Sequence, residues 1–476
     1  MITPEGAIDI DPAVKALSNM RVLLLGFGRE GLSTYHFLRR YLTSARLVAA
    51  DRRTVAELPA TTRATLDGDP DLGFMGGENY ADYLGDFDVI FRSPGVPPTL
   101  PGLEAARQAG IQITSNMGLF FKIYRGQIVG ITGTKGKSTT SSVIFSVLSR
   151  VHNDVRLVGN IGRPALSYVE GSTLATFFVA ELSSHQLADL RRSPHIAVVQ
   201  DVVPEHLDYY TTFTSYLAAK ANIAKHQTPD DYILYNADSS TASHIAQQSL
   251  ALHLRFGTTN DPELLCTVED DCLIYRGDGL AQEIMAVSEV PLRGRFNLLN
   301  VMPGIIVGRL YGLPPEVISS TISQFRPLEH RLEFVATVNG VSFYNDSLAT
   351  VPEATIAALE SFTEPVVVIA GGEDRGQDFA QLAQVLRARD IRALILLPPS
   401  GERIRTALAS DPLDFPRPCW LVNSMDGAVR AAVKVAQPGD CVILSPGSAS
   451  RNLFRDYADR GEQFRAGVRR IALGIN

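Results

Sequence analysis

The sequence is poor in cysteine. There are four in 476 residues, Cys266, Cys272, Cys419 and Cys441, and none forms a C-x-x-C pair. That sparseness excludes a disulfide scaffold or a cysteine zinc site and suits a reducing compartment. Long apolar runs are also missing, since no stretch approaches the ~18 residues of a membrane span. Positive charge is not in excess. Lys and Arg number 44 against 51 Asp and Glu, a formal net charge of -7, which argues against a general nucleic-acid binder with its basic footprint. Small anionic ligands are not excluded, because they need only a local site. There is no short-period repeat and no low-complexity tract. The opening MITPEGAIDIDP is acidic and lacks the charged-then-apolar pattern of a signal peptide. A cytoplasmic chain without membrane or nucleic-acid partners is expected.

Hydrophobic residues make up 45% and charged residues 20% of the chain. These are ordinary values for a globular protein, and the length corresponds to about three domains. Short apolar runs alternate with helical stretches, the pattern of parallel sheets with helices on their faces. Residues 1–20 read as a loose lead-in. "RVLLLGFG", "RLVAAD" and "DVIFRSPG" then read as strands of a first unit, with "EGLSTYHFLRRYL" as a helix. "QIVGIT", "FFVAELSS" and "IAVVQDV" belong to a second unit, and residues 258–290 to a strand-rich excursion from it. "VSFYNDS", "PVVVIAGG", "ALILLPP", "CWLVN" and "CVILSPG" form a third. The expected architecture is α/β, in three consecutive domains at 1–125, 126–327 and 328–476.

Two glycine-rich turns carry chemistry. Gly26-x-Gly28-x-x-Gly31 follows a strand and opens a helix, and Asp51 ends the next strand 25 residues after Gly26. The spacing suits a nucleotide diphosphate at a helix N-terminus, with Asp51 accepting a ribose hydroxyl. NAD and a UDP-sugar fit equally well, and so does a tight turn that simply needs glycine. The second turn is Gly133-Thr134-Lys135-Gly136-Lys137-Ser138-Thr139, a shortened G-x-x-G-K-S variant of the P-loop. Its backbone would cradle phosphates, Lys137 would neutralise β/γ charge, and the Ser138 hydroxyl would ligate magnesium, so ATP is the expected ligand.

Further polar residues fall where strands end, the ligand-binding edge of an open α/β sheet. Glu181 in "AELSSHQ" is a natural magnesium ligand there, and His206 in "VPEHLD" follows the next strand. Lys220 in "SYLAAKANI" reads, by itself, as a solvated helix lysine. In the third unit Asp346 in "YNDS", Arg375 in "GGEDRG" and Ser445 to Ser450 in "SPGSAS" end strands in the same way. The guanidinium of Arg375 suits a substrate carboxylate.

Taken in order, "GITGTKGKST", "GNIG", "AELSSHQL", "PEHLD", "AAK", "HRLE", "YNDS" and "GGEDRG" resemble the Mur ligases of peptidoglycan synthesis, most closely the branch that adds D-glutamate. The resemblance covers nearly the whole chain after residue 20. It implies a Rossmann-like UDP-binding domain, a P-loop ATPase-like central domain and a Rossmann-like C-terminal domain. It implies ATP and magnesium as cofactors, UDP-N-acetylmuramoyl-L-alanine and glutamate as substrates, and a monomer. By position Gly28, Arg29, Glu30, Asp51, Arg53, Ser93, Asn160 and Ser183 would face the UDP-substrate. Gly133 to Thr139, Asn297, Arg331 and Asp346 would contact ATP. Thr350, Arg375, Ser450 and Tyr457 would form the amino-acid site. Lys137, Glu181, His206 and Lys220 would be catalytic, with Ser138, Glu181, His206 and a carbamate on Lys220 holding metal.

The sequence also departs from the family pattern. Leu348 stands where N-D-S-K-A-T-N has lysine, Arg375 replaces the lysine of the GGDGK stretch, and Lys135 stands where asparagine is common. These positions bear on the amino acid that is added. An L-glutamate-adding ligase of the same family is therefore an alternative, and a different class, an NAD-dependent oxidoreductase, would rest on Gly26 to Asp51 alone.

Overall fold

The computed structural model describes residues 11–43, 45–277, 279–409 and 417–474. Their twenty strands form three sheets. The first sheet contains β1 (Val22–Leu25), β2 (Leu47–Asp51), β3 (Leu72–Gly76), β4 (Val89–Arg92) and β5 (Gln112–Thr114), in the order β3-β2-β1-β4-β5. All its pairs are parallel. β1 is buried on both faces: Val22 and Leu24 enter one apolar cluster, and Leu23 and Leu25 another. A continuous apolar run is what such a central strand requires.

The second sheet contains β6 (Gln127–Thr132), β7 (Val155–Gly159), β8 (Phe177–Glu181), β9 (Ile196–Val199), β10 (Tyr232–Asn236), β11 (Leu252–Phe256), β12 (Cys266–Glu269), β13 (Cys272–Gly277) and β14 (Leu280–Ala286). Their order is β14-β13-β12-β11-β10-β9-β6-β8-β7. The strands from β7 to β12 are parallel, and β12, β13 and β14 form an antiparallel meander. The meander is the strand-rich excursion expected at 258–290.

The third sheet contains β15 (Glu333–Val338), β16 (Val341–Asn345), β17 (Val366–Gly371), β18 (Ile391–Leu397), β19 (Cys419–Leu421) and β20 (Cys441–Leu444), in the order β15-β16-β20-β17-β18-β19. Only β15 runs antiparallel. Alternate residues of β17 enter different cores, Val366, Val368 and Ala370 on one face and Val367 and Ile369 on the other.

The chain divides into two compact units. One runs to Glu289 and includes Leu299–Ser323; the other contains Val290–Leu298 and everything described from Gln324 onward. The first unit holds the first two sheets, which share one apolar cluster. The loose lead-in expected at 1–20 needs correction where it is described. Asp11–Lys15 is helical, and Val14 and Leu17 are buried in that cluster; residues 1–10 lie outside the described residues.

Candidate active site

β6 ends at Thr132, and the turn Gly133-Thr134-Lys135-Gly136 leads into a helix at Lys137–Leu148. Gly136 has φ +82°, and a Cβ there would lie 2.2 Å from Asn300 Oδ1. A side chain there would be strained by that conformation and would have to displace Asn300. The Thr134 N–H donates to Asp201 O at 2.7 Å, and its hydroxyl donates to Val203 O at 2.9 Å. Lys137 Nζ donates to Gly133 O at 2.9 Å and Thr134 O at 2.8 Å, so the ammonium folds over the turn. Ser138 is the second residue of the helix, where backbone donors have no intrahelical partner and an anion is favoured.

Glu181 ends β8 beside β6, with Ile131 as its cross-strand partner. It is buried. Oε1 accepts from Asn160 Nδ2 at 2.7 Å, whereas Oε2 is buried with no hydrogen-bond partner. A buried carboxylate oxygen without a donor is costly, and a cation supplies the missing partner.

Lys220 is not the solvated helix lysine that its local sequence indicates. It lies in the helix Phe213–Ala221 with only 1% of its surface exposed. Nζ donates to Gly133 O at 2.7 Å and sits 4.8 Å from the centre of the Tyr216 ring. Burial, then the nearby Lys137 charge, pushes its pKa well below the ordinary lysine value. Lys137 and Lys220 thus share the Gly133 carbonyl. His206 lies on the loop after β9, with φ +55° and Nε2 3.5 Å from Glu205 Oε2. Its ring meets those of His185 and Tyr216. Among the described residues no three His, Cys, Asp or Glu side chains converge as a metal site.

In the first sheet Gly26 has φ +91°, and a Cβ on Gly31 would lie 2.2 Å from Gly26 O. Gly28 precedes the helix Arg29–Tyr41. Asp51 is not a free ribose acceptor. Its carboxylate accepts from Phe27 N at 2.9 Å, from Arg53 N at 3.0 Å, and from Arg53 Nε and Nη2 at 2.8 Å each. Burial would raise its pKa, but these bonds outweigh burial and hold it below the usual value. Asp51 therefore fixes the turn and aims Arg53. Ser93 Oγ donates to Gly26 O at 2.6 Å. Arg29 is exposed, and Glu30 is buried. Glu30 Oε1 accepts from Gln186 Nε2 at 2.6 Å, and burial raises its pKa. Ser183 caps the helix Ser184–Leu187.

Two buried polar groups here had no signal in the sequence. Arg92, at the end of β4, is 1% exposed. Its Nε donates to Asp189 Oδ2 at 2.6 Å and its Nη1 to Tyr209 OH at 2.7 Å, linking the first sheet to the second. Gln186 links Glu30 to the Ser183 cap.

The second unit has its own cluster. Asp346 follows β16 and is buried; it accepts from Leu332 N at 3.1 Å and Ser445 Oγ at 2.8 Å. Burial raises its pKa to about 7, against the opposing charges of Arg331 and Arg460. Arg460, also unsignalled, is fully buried; Nε donates to Ser347 Oγ at 3.0 Å and Nη1 to Ser448 O at 2.9 Å. Arg331 Nε is buried without a partner. Asn297 is buried and donates to Arg293 O. Ser450 is buried, Thr350 half-buried and Tyr457 exposed at the start of the helix Tyr457–Ala472. Arg375 is exposed and paired with Glu373 on its own loop at 2.9 Å.

Parallel sheets with a strand–P-loop–helix turn at the C-terminal strand edge define a nucleotide-binding α/β protein. The comparisons narrow that class. A Mur ligase MurD-like N-terminal domain matches residues 20–115, a Mur ligase middle domain residues 131–308, and a Mur ligase glutamate ligase domain residues 330–447. The UDP-N-acetylmuramoylalanine–D-glutamate ligase of Symbiobacterium thermophilum is 35% identical over 456 residues, covering 95% of this chain and 98% of the relative. That of Acidobacterium capsulatum is 34% identical, covering 94% and 96%. The chain belongs to the Mur ligase family. Among solved structures, the UDP-N-acetylmuramate–alanine ligase MurC of Thermotoga maritima shares the fold at TM-score 0.57 and 17% identity, covering 96% of this chain and all of that one. A MurF ligase of the same organism, solved with ADP, also aligns at 0.57, with 16% identity over 95% and 97% of the two chains.

Proposed function

We propose that this enzyme is an ATP-dependent amide ligase that adds D-glutamate to UDP-N-acetylmuramoyl-L-alanine in the synthesis of peptidoglycan precursors. The observation that carries the reading is the sheet edge where Lys137, Lys220 and Glu181 meet the P-loop. Relatives that match about 95% of the chain and bear that activity in their names support it. The domains are assigned as 1–125 for the UDP-substrate, 126–327 for ATP and 328–476 for the amino acid. The chain is proposed to act as a monomer. The ligands are those of the cytoplasm.

Each group then has a physical task. Arg29, Glu30 and Arg53 face the UDP-substrate, and Gly28, Asp51 and Ser93 shape the turn that presents them. Gly133 to Thr139 cradle the phosphates, and the Lys137 ammonium leaves its loop carbonyls to neutralise them. Asn297, Arg331 and Asp346 take the rest of ATP; Asn160 and Ser183 lie on the substrate side. The Glu181 oxygen without a donor fits a divalent cation. Ser138, Glu181, His206 and Lys220, the last as a carbamate, would hold magnesium, which would draw charge off the reacting phosphate. The depressed Lys220 pKa keeps a fraction of its amine neutral, the form that takes up carbon dioxide. The alanyl carboxylate attacks the γ-phosphorus, ADP leaves, and the glutamate amine displaces phosphate from the acyl phosphate. Thr350, Arg375, Ser450 and Tyr457 orient that amine by holding the amino acid. The protein's contribution is positioning and charge stabilisation.

The test is phosphate release with ATP, the UDP-substrate and either D- or L-glutamate. Release is expected only with all three components and with the D isomer. Turnover with L-glutamate instead would assign the alternative branch, for which Leu348 in place of lysine is the motive. No turnover with either would overturn the ligase.

A further inference from the structure

A cleft of about 550 Å³ opens in the first unit, and none of its lining residues belongs to the sets proposed above. Its cations come from three segments. Arg107 lies in the helix Leu103–Gln108, Lys122 in and Arg125 just after the helix Asn116–Ile123, and Arg191 and Arg192 in the loop before β9. Asp189 is the one carboxylate in the lining. It is already committed: Oδ2 accepts from the buried Arg92 at 2.6 Å, and Oδ1 lies 3.8 Å from Arg107. Lys122, Arg125 and Arg191 have no ion pair among the described residues, and all three are exposed. In a chain whose net charge is -7, this is a local reversal of sign inside a concave site.

We infer that this cleft is a second anion site that takes a small molecule carrying two or more phosphates. Four of the five cations are arginines, whose planar forks match phosphate oxygens better than they match a point charge. The volume suits a ligand of nucleotide size. The Arg192 guanidinium is held below its usual pKa by burial and then by the Arg125 charge, a crowding that a bound anion relieves. Arg107 is shared with Glu104 at 3.6 Å and Arg192 donates to Phe121 O at 3.1 Å, so Lys122, Arg125 and Arg191 carry most of the attraction; several phosphate oxygens meet them better than a single carboxylate does, which sets the class of ligand.

The experiment is calorimetric titration of the full chain with inorganic tripolyphosphate at low salt, with ADP in parallel. Two binding events are expected in the wild type, one at the P-loop and one at the cleft. The double variant Arg125→Glu/Arg191→Glu should weaken the cleft event at least tenfold and leave ligase turnover unchanged, which reports that it is folded. Arg125→Gln/Arg191→Gln, which removes charge without reversing it, should weaken the same event less. Lys137→Ala should lose the other event. Tripolyphosphate alone in the cleft makes phosphate the whole determinant, and ADP there as well makes the ligand a nucleotide; both support the site. A single event in the wild type would overturn it. So would a titration unchanged by the double variants, or binding of a polyglutamate peptide where tripolyphosphate fails.

Discussion

Burial sets Lys220 apart from an ordinary helix lysine and, with the nearby Lys137 charge, lowers its pKa. Its position in "AAKANI" shows neither the Tyr216 ring beneath the amine nor the Gly133 carbonyl in front of it. Only the resemblance singled it out, because the helix Phe213–Ala221 meets the P-loop across 87 residues of chain. If the carbamate is the working form, Lys220→Ala should lose at least a hundredfold in turnover, and added bicarbonate or a short carboxylate should restore part of it. An active variant indifferent to bicarbonate would remove the carbamate. Asp346 carries a second residue-scale consequence. Its pKa rises from 3.8 to about 7 on folding, so the folded state binds the proton more tightly than the unfolded chain. The resulting stabilisation is complete below the unfolded value and is lost as pH rises through about 7. At ~1.4 kcal/mol per pH unit this is worth roughly 4 kcal/mol at most. Asp346→Asn keeps an acceptor for Leu332 N–H and removes the titration. Melting curves at pH 5 and pH 8 should therefore differ less in the variant than in the wild type, with the variant the more stable at pH 8.

Elements were legible where an apolar run is unbroken. Strands buried on both faces, such as β1, β6, β17 and β18, read directly as apolar runs. β3, β5, β7 and β15 were not read, because edge strands mix polar and apolar residues and leave half their surface to solvent; the interior β10 and β11, whose apolar residues are interrupted by tyrosines, His253 and Arg255, were not read either. The turn Gly26 to Gly31 was read as a strand-to-helix turn that needs its glycines, and the structure gives that need a packing reason. Gly31 lets the helix Arg29–Tyr41 approach the Gly26 carbonyl, and Ser93 pins the same carbonyl from the other side. Gly31→Ala places a Cβ at 2.2 Å from that backbone oxygen, which a rotamer change cannot relieve. The helix must move, at a cost of about 1–3 kcal/mol. Denaturant unfolding should report that loss. Steady-state kinetics should report a higher KM for the UDP-substrate with the KM for ATP unchanged, since the ATP turn belongs to another sheet. Equal effects on both KM values would count against separate turns.

At the scale of the molecule the three sheets were legible, and the division into units was not. Val290–Leu298 packs with the second unit because Arg293 reaches Tyr344 and Glu364, 51 and 71 residues ahead, a pairing that no local pattern announces. The net charge of -7 likewise conceals where charge acts. In the proposed reaction an anionic carboxylate meets an anionic phosphate, a task the proposal gives to local cations, Lys137 above all, with no side chain in the role of a covalent nucleophile. That division of labour has an isotopic consequence. If the alanyl carboxylate attacks the γ-phosphorus, one of its two oxygens bridges to phosphorus in the acyl phosphate. The glutamate amine then attacks the carbonyl carbon, and the C–O bond to that oxygen breaks. A substrate doubly labelled with ¹⁸O in the carboxylate should therefore release phosphate carrying one ¹⁸O and keep the other in the amide carbonyl, as read by mass spectrometry. Label in AMP would mean attack at the α-phosphorus, with pyrophosphate as the leaving group. Phosphate free of label would mean that ATP is hydrolysed apart from amide formation. Either outcome would break the link between Lys137, the γ-phosphate and the new bond.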